Sequence, residues 1–403
     1  MTNPAPGASR ELQRDARDFS LVLGGPLFQL LRRTHLTDGA LHLLRRRIIA
    51  AVVLTWAPLL VLSALSGHLL GRAVAIPFLL DLETHIRFLV VVPLLLAAEL
   101  VVHERLLPIV RGLIEGELIP EKELPRFDRA LRSALRWRNS VVAEILIIAA
   151  VYLIGVLVVW RRYTAPHADT WYVSTLGDHP QLSPGGMWFV WVSLPVFQFL
   201  LLRWYFRLLI WIRFLWQLSR LRLNLLPTHP DNVGGLGELG NTVYAFTVLL
   251  VAQGAIVAAQ IANRVLLLGA TLPQFAAVIA AVVGVLLLVV LGPMCLFSTQ
   301  LSRAKRTGLL EYGALAERYV RQFDTKWLRG GAPRAEALLG SADIQSLADL
   351  ANSFTVVRSM RVIPVSTQAV IQLIVAVCAP IAPLVLTMMP LGELLKKLLG
   401  LIL

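Results

Sequence analysis

The chain is expected to be all-α: a polytopic helical membrane protein with about seven transmembrane helices and a small helical cytoplasmic layer. Three observations predict this. Of its 403 residues, 57% are apolar and 16% charged, whereas a soluble domain holds about 45–50% and about 25%. The apolar excess gathers in continuous runs of about 20 residues, long enough to cross roughly 30 Å of hydrocarbon as helix. A barrel would show alternating segments of about ten residues instead. Lys and Arg are also unevenly placed. With the N-terminus in the cytoplasm, 31 of the 38 fall in inner segments, the bias that sets orientation in helical membrane proteins.

The net charge of +13 therefore reads as orientation and contact with anionic lipids at the cytoplasmic face. Nucleic acid is not an expected partner, because no basic domain with interleaved aromatics and no nucleic-acid motif is present. Cys295 and Cys378 both lie in apolar runs, which argues for small core residues over a disulfide framework or a cysteine zinc site. No cleavable signal peptide is expected: the first 47 residues carry eight Arg and four acids and no apolar stretch ending in small residues.

The chain divides into a cytoplasmic N-terminal segment (1–47), a six-helix membrane bundle (48–298) with cytoplasmic loops at 108–140 and 210–242, a cytoplasmic helical segment (299–362), and a last span with its tail (363–403). Within the first segment, 19–42 is amphipathic and reads as one or two helices lying on the inner surface. The spans are drawn at 48–70, 86–107, 141–160, 187–209, 243–267, 272–298 and 363–389.

Glu99 lies inside the second span. A carboxylate there is expensive and faces a cavity or a partner, so it is either a structural ion pair or part of a pathway. In the 108–140 loop a helix should start after Pro125. Arg129, Arg132 and Arg136 share one of its faces. The outer loop 161–186 holds His167, Asp169, Asp178 and His179, ligand-type residues whose spacing matches no compact zinc motif.

The fourth span runs on past Arg203 and Arg207, read as snorkelling arginines, and should stop by about Leu226, ahead of Pro227 and Pro230. The stretch His229-Pro230-Asp231-Asn232-Val233-Gly234-Gly235-Leu236-Gly237 follows. Its glycines permit a special backbone, and three readings stay open. The amides of Gly234, Gly235 and Gly237 could receive an anion, with His229 and Asp231 as acid/base or orienting groups. His229 and Asp231 could ligate a metal with residues from elsewhere. Or the loop is a structural connection. It lacks the ending of a Walker A loop, and no strand precedes it as a dinucleotide fingerprint requires. No cofactor can be named.

Gln253 and Gln260 share a face of the fifth span, and Gln368 and Gln372 stand one turn apart in the seventh. Intramembrane amides seek partners on other helices, or line a polar path together with Glu99. In the last inner segment a helix should run from about Ser302 to Phe323. Gly330-Gly331-Ala332-Pro333 should end it, and a second helix should begin near Ser341. Pro380 and Pro383 should kink the seventh span, and the tail from 391 reads as an interfacial helix.

The stretches DLETHIRFLVVVPLLLAAE (81–99), HPDNVGGLG (229–237) and LGSADIQSLADL (339–350) together resemble an uncharacterised group of bacterial multi-pass inner-membrane proteins. The resemblance implies a bacterial inner (cytoplasmic) membrane and one shared architecture for the three stretches; it carries over no activity and no catalytic residue. Two function classes remain. One is a transport or channel-like protein with a polar path through Glu99, Gln253, Gln260, Gln368 and Gln372. The other is a membrane-embedded enzyme or ligand sensor at the His229–Gly237 loop. Either can act as a homo-oligomer.

Overall fold

The computed structural model describes residues 19–24, 44–71, 74–155, 170–174, 181–333, 336–338 and 340–388. Among them, five helices are long and apolar enough to cross a membrane: α1 (Leu44–Leu65), α2 (Leu82–Glu115), α5 (Pro184–Leu218), α6 (Gly237–Leu267) and α7 (Leu272–Leu328). Two shorter apolar helices join them, α4 (Val141–Leu153) and α9 (Thr367–Cys378). The polar helices α3 (Leu124–Arg138) and α8 (Ala342–Ser359) complete the set. The chain is thus an all-α membrane protein. A two-residue antiparallel ribbon, Val173–Ser174 against Gln181–Leu182, is the one strand pair among the described residues.

Local chemistry sets most helix starts. Ser140, Ser183, Ser341 and Ser366 each precede a helix, and each side chain accepts an amide hydrogen from its first turn, the standard answer to the unpaired amides there. Asp81 does the same for α2, accepting from the Thr84 amide at 3.4 Å. Gly269, in the left-handed region at φ 66°, ends α6. As expected, α9 gives way to a tighter turn, Ala382–Thr387, at Pro380 and Pro383.

The central element is α2, which packs on α1, α5 and α6. Its inward face carries Val92, Leu95, Leu96, Ala98, Val102 and Leu106, the spacing of one helical stripe. α3 packs on α5 through Phe127, Ala130, Leu131 and Ala134, and leaves Arg129, Arg132 and Arg136 on its exposed side. α9 packs on α6, and there the backbones nearly touch. A Cβ built on Gly254 would lie 2.1 Å from the Val377 carbonyl oxygen.

Three expectations change. The fourth span's helix stops at Leu218, eight residues earlier than the prolines require. Just past that end the Gln300 amide of α7 donates to the carbonyls of Ser219 (2.6 Å) and Leu221 (2.9 Å), partners for groups that a helix end leaves without intrahelical bonds. The sixth span and the following helix are continuous in α7, with no break near residue 302. Of the expected surface helix at 19–42, residues 19–24 are not helical, and Phe19, Leu21 and Val22 are buried in the core. Phe19 stacks on Phe214. The remainder of that stretch lies outside the described residues, as do His167, Asp169, Asp178, His179 and the tail from 391.

Gly254→Ala tests the close approach of α6 and α9. The added methyl meets backbone, which cannot rotate away, so a loss of about 1–3 kcal/mol is expected, read as a lower unfolding temperature in detergent.

Candidate functional site

Two clusters gather the charged residues of interest. The first lies inside the bundle around Glu99, which is 2% exposed. Glu99 sits near the middle of α2, where the apolar stripe turns it inward. Arg47 Nη2 of α1 donates to Glu99 Oε2 at 2.6 Å, and Arg207 Nη1 of α5 donates to Oε1 at 2.8 Å. Arg203 Nη1, one turn before Arg207, stands 3.6 Å from Oε1, and Arg203 Nη2 stands 3.8 Å from Glu144 Oε1 of α4. All three guanidinium groups are less than a tenth exposed. Three helices therefore meet at one carboxylate, and α4 joins them through Arg203. The Trp204 ring lies 4.9 Å from the Arg207 guanidinium carbon, and its Nε1 donates to the Leu95 carbonyl at 2.8 Å, fixing α5 against α2.

Charges taken out of water cost several kcal/mol each, and only close pairing offsets that. Here the pairing is unequal: among the described residues three arginines face two carboxylates. Arg47 Nη1 is buried and has no hydrogen-bond partner among the described residues. Among the described residues the cluster therefore carries more guanidinium than carboxylate groups. In the sequence Glu99 stands out, whereas Arg203 and Arg207 read as snorkelling arginines at the end of a span. The available signal was the four-residue spacing of Arg203 and Arg207, which aims both at one neighbour.

The second cluster is the loop before α6. Its carboxylate, Asp231, accepts from the amides of Val233 (2.8 Å), Gly235 (3.0 Å) and Gly237 (2.8 Å). Two of the three glycine amides read as an anion cradle, those of Gly235 and Gly237, already hold a carboxylate from within the chain. Asn232, Gly234 and Gly235 adopt positive φ of 57°, 68° and 98°, which turns those amides back toward Asp231. A side chain at Gly235 would also run into Leu118, 2.8 Å from its Cβ position. Burial works against ionisation of Asp231. The amides of Val233, Gly237 and Gly235, with His229, outweigh it and hold the carboxyl below the usual carboxylate range. His229 Nδ1 lies 2.9 Å from Asp231 Oδ1.

The loop is also tied to its surroundings. The Arg361 amide donates to the Asn232 carbonyl at 2.7 Å, Ser359 Oγ to Asn232 Oδ1 at 2.7 Å, and the Asn224 amide to the Leu118 carbonyl at 2.8 Å. A cavity of about 510 Å³ opens beside it, lined by Gly112, Glu117, His229, Glu238 and Arg361 among others. Among the described residues no group of three or more His, Cys, Asp and Glu is placed to hold a metal ion.

The glutamines scatter. Gln253 is buried, and its Oε1 accepts from Tyr205 at 3.0 Å, while its Nε2 has no partner among the described residues. Gln260, Gln368 and Gln372 lie on the exposed surface of the chain. The fold brings Glu99 together with arginines and does not bring it together with these three. A further buried carboxylate, Asp81, accepts from Trp171 Nε1 (3.0 Å) and Asn263 Nδ2 (2.7 Å); it ties the ribbon segment and α6 to the start of α2. Compared with known protein families, curated proteins and solved structures, the chain matches none.

Two outcomes are expected. Glu99→Gln leaves buried arginines without their countercharge and should destabilise by about 3–5 kcal/mol, measured by thermal unfolding in detergent. Because Asp231 has a lowered pKa, its stabilisation is full above the unfolded carboxylate range and is lost as pH falls through the lowered value. The protection of the Val233, Gly235 and Gly237 amides against hydrogen exchange, taken relative to the intrinsic rate at each pH, should fall in Asp231→Ala at neutral pH, and in the parent only in acid.

Proposed function

We propose that this integral membrane protein is of the transport type and engages an anion at the buried Arg47–Arg203–Arg207 cluster. The observation that carries the reading is the excess, among the described residues, of guanidinium over carboxylate groups around Glu99, the three arginine side chains each less than a tenth exposed. Ionisable groups at such a place mark ion or substrate pathways more often than scaffolding. Glu99 then acts as the fixed countercharge that keeps the arginines together when the site is empty. The polar path, drawn in sequence through four glutamines, narrows to the cluster and Gln253. Gln260, Gln368 and Gln372 become candidates for contact with a second copy, since amides facing lipid gain by pairing.

The topology belongs to the same proposal: α4 and α9 complete seven spans, the N-terminus is cytoplasmic, and α3, α8 and the Asp231 loop form an inner layer in a bacterial inner membrane. Arginine bias supports it. A second reading, a ligand sensor or enzyme at the loop, draws on the 510 Å³ cavity beside His229 and Arg361.

Proteoliposomes test the first reading. Flux of chloride or inorganic phosphate is expected in the parent, and a drop of at least about tenfold in Arg207→Gln, the worth of one charge-assisted hydrogen bond. A parent without flux, or a variant that matches it, removes the transport reading. For topology, a cysteine placed at Asn232 should react with a thiol reagent only after the inner membrane is opened. Labelling in cells whose inner membrane is intact would reverse the orientation.

A further inference from the structure

A second cavity, of about 490 Å³, begins at this cluster and is almost wholly apolar. Its walls come from four helices, α2 contributing Leu96. Ala50, Ala51 and Leu54 lie on α1, Ile148, Val151 and Tyr152 on α4, and Pro195, Val196, Phe199 and Leu200 on α5. Arg47 is the one charged residue in its lining among the described residues.

The register of these residues gives the cavity a direction. From Arg47 the α1 lining climbs to Leu54; from Glu144 the α4 lining climbs to Tyr152; from Arg203 the antiparallel α5 lining runs back to Pro195. Each path covers seven or eight residues, about 10–12 Å of helix. All three lead away from the same charged end. The cavity is therefore a groove with arginine at its foot and hydrocarbon walls above, open along a side where Leu54, Ile148 and Tyr152 are exposed. Two π turns border it, Val151–Gly155 in α4 and Phe189–Ser193 just ahead of Pro195. Such turns locally widen a helix and recur at functional sites.

We infer that the groove is a site for an anionic lipid of the surrounding bilayer, one acyl chain lying along α1, α4 and α5 and a headgroup oxygen meeting Arg47. Two independent features point to this occupant. Arg47 is 6% exposed and has a buried Nη1 with no partner among the described residues, a donor whose unmet hydrogen bond is costly. The groove beyond it offers no polar group for a small solvated anion along most of its length. An amphiphile with a negative head meets both conditions. The assignment rests on the anion-binding half of the reading above and not on flux.

Native mass spectrometry of the full chain tests it, using an equimolar mixture of phosphatidylglycerol and phosphatidylethanolamine with matched chains. One phosphatidylglycerol should be retained with a preference of about tenfold or more, the worth of one charge-assisted hydrogen bond. Arg47→Gln should abolish the preference. Because that change disturbs Glu99, Ala50→Trp serves as a second variant: it fills the groove from an exposed position and leaves the charges alone, and should abolish retention too. Excess inorganic phosphate should not displace the lipid. Equal retention of both lipids, a preference that survives Ala50→Trp, or full displacement by phosphate overturns the assignment. Arg207-dependent flux without lipid preference sinks this inference alone; lipid preference without flux sinks transport alone.

Discussion

The bundle is organised around one carboxylate that could not be where it is without its neighbours. Glu99 would be prohibitive in an apolar interior as a lone ion. It is tolerated because α1 and α5 each deliver an arginine to one of its oxygens, at 2.6 and 2.8 Å, and α5 brings a second arginine close by. This has a geometric consequence. Helices that must converge on a single point have little freedom to slide or rotate, so the interaction specifies their relative register even where it adds little net stability.

The Asp231 loop uses the same physics at smaller scale. Backbone amides that glycine conformations force to converge need an acceptor, and a side chain six residues or fewer away supplies it. In both places the electropositive feature precedes the anion logically. At the loop the anion is internal and complete. At Glu99 the internal anion leaves one donor, Arg47 Nη1, without a partner among the described residues.

Small residues matter where the charges do not reach. Gly254 lets α6 lie against the Val377 carbonyl, and Gly240 lies as close to the Pro364 carbonyl, so α9 and the chain leading into it are held by backbone proximity. Gly308 of α7 similarly admits Pro227, whose Cβ lies 2.6 Å from where a side chain would begin. The loop is thereby wedged between α2 and α7. The three stretches on which the resemblance rests take different roles in this frame: 81–99 forms the start of the central helix and carries both Asp81 and Glu99, 229–237 forms the wedge, and part of 339–350 starts the helix packed on α7.

The amino-acid sequence alone determined the all-helical membrane class, because apolar run length and charge bias are properties of local composition. It also determined the serine caps, the proline break in the last span and the glycine conformations of the loop, since each acts within a few residues. Glu99 was legible as an anomaly for the same reason. Its partners were not. Arg47 is 52 residues away and Arg207 is 108 away, and an arginine at a helix end looks the same whether it reaches water or a buried carboxylate. The partner of the Ser219 carbonyl at the end of α5 is Gln300, 81 residues downstream. Which of the glutamines face the interior depended on how α6 and α9 rotate in the bundle. Only tertiary structure decided these matters, because they are set by which helix faces meet, and a one-dimensional pattern encodes the faces without their partners.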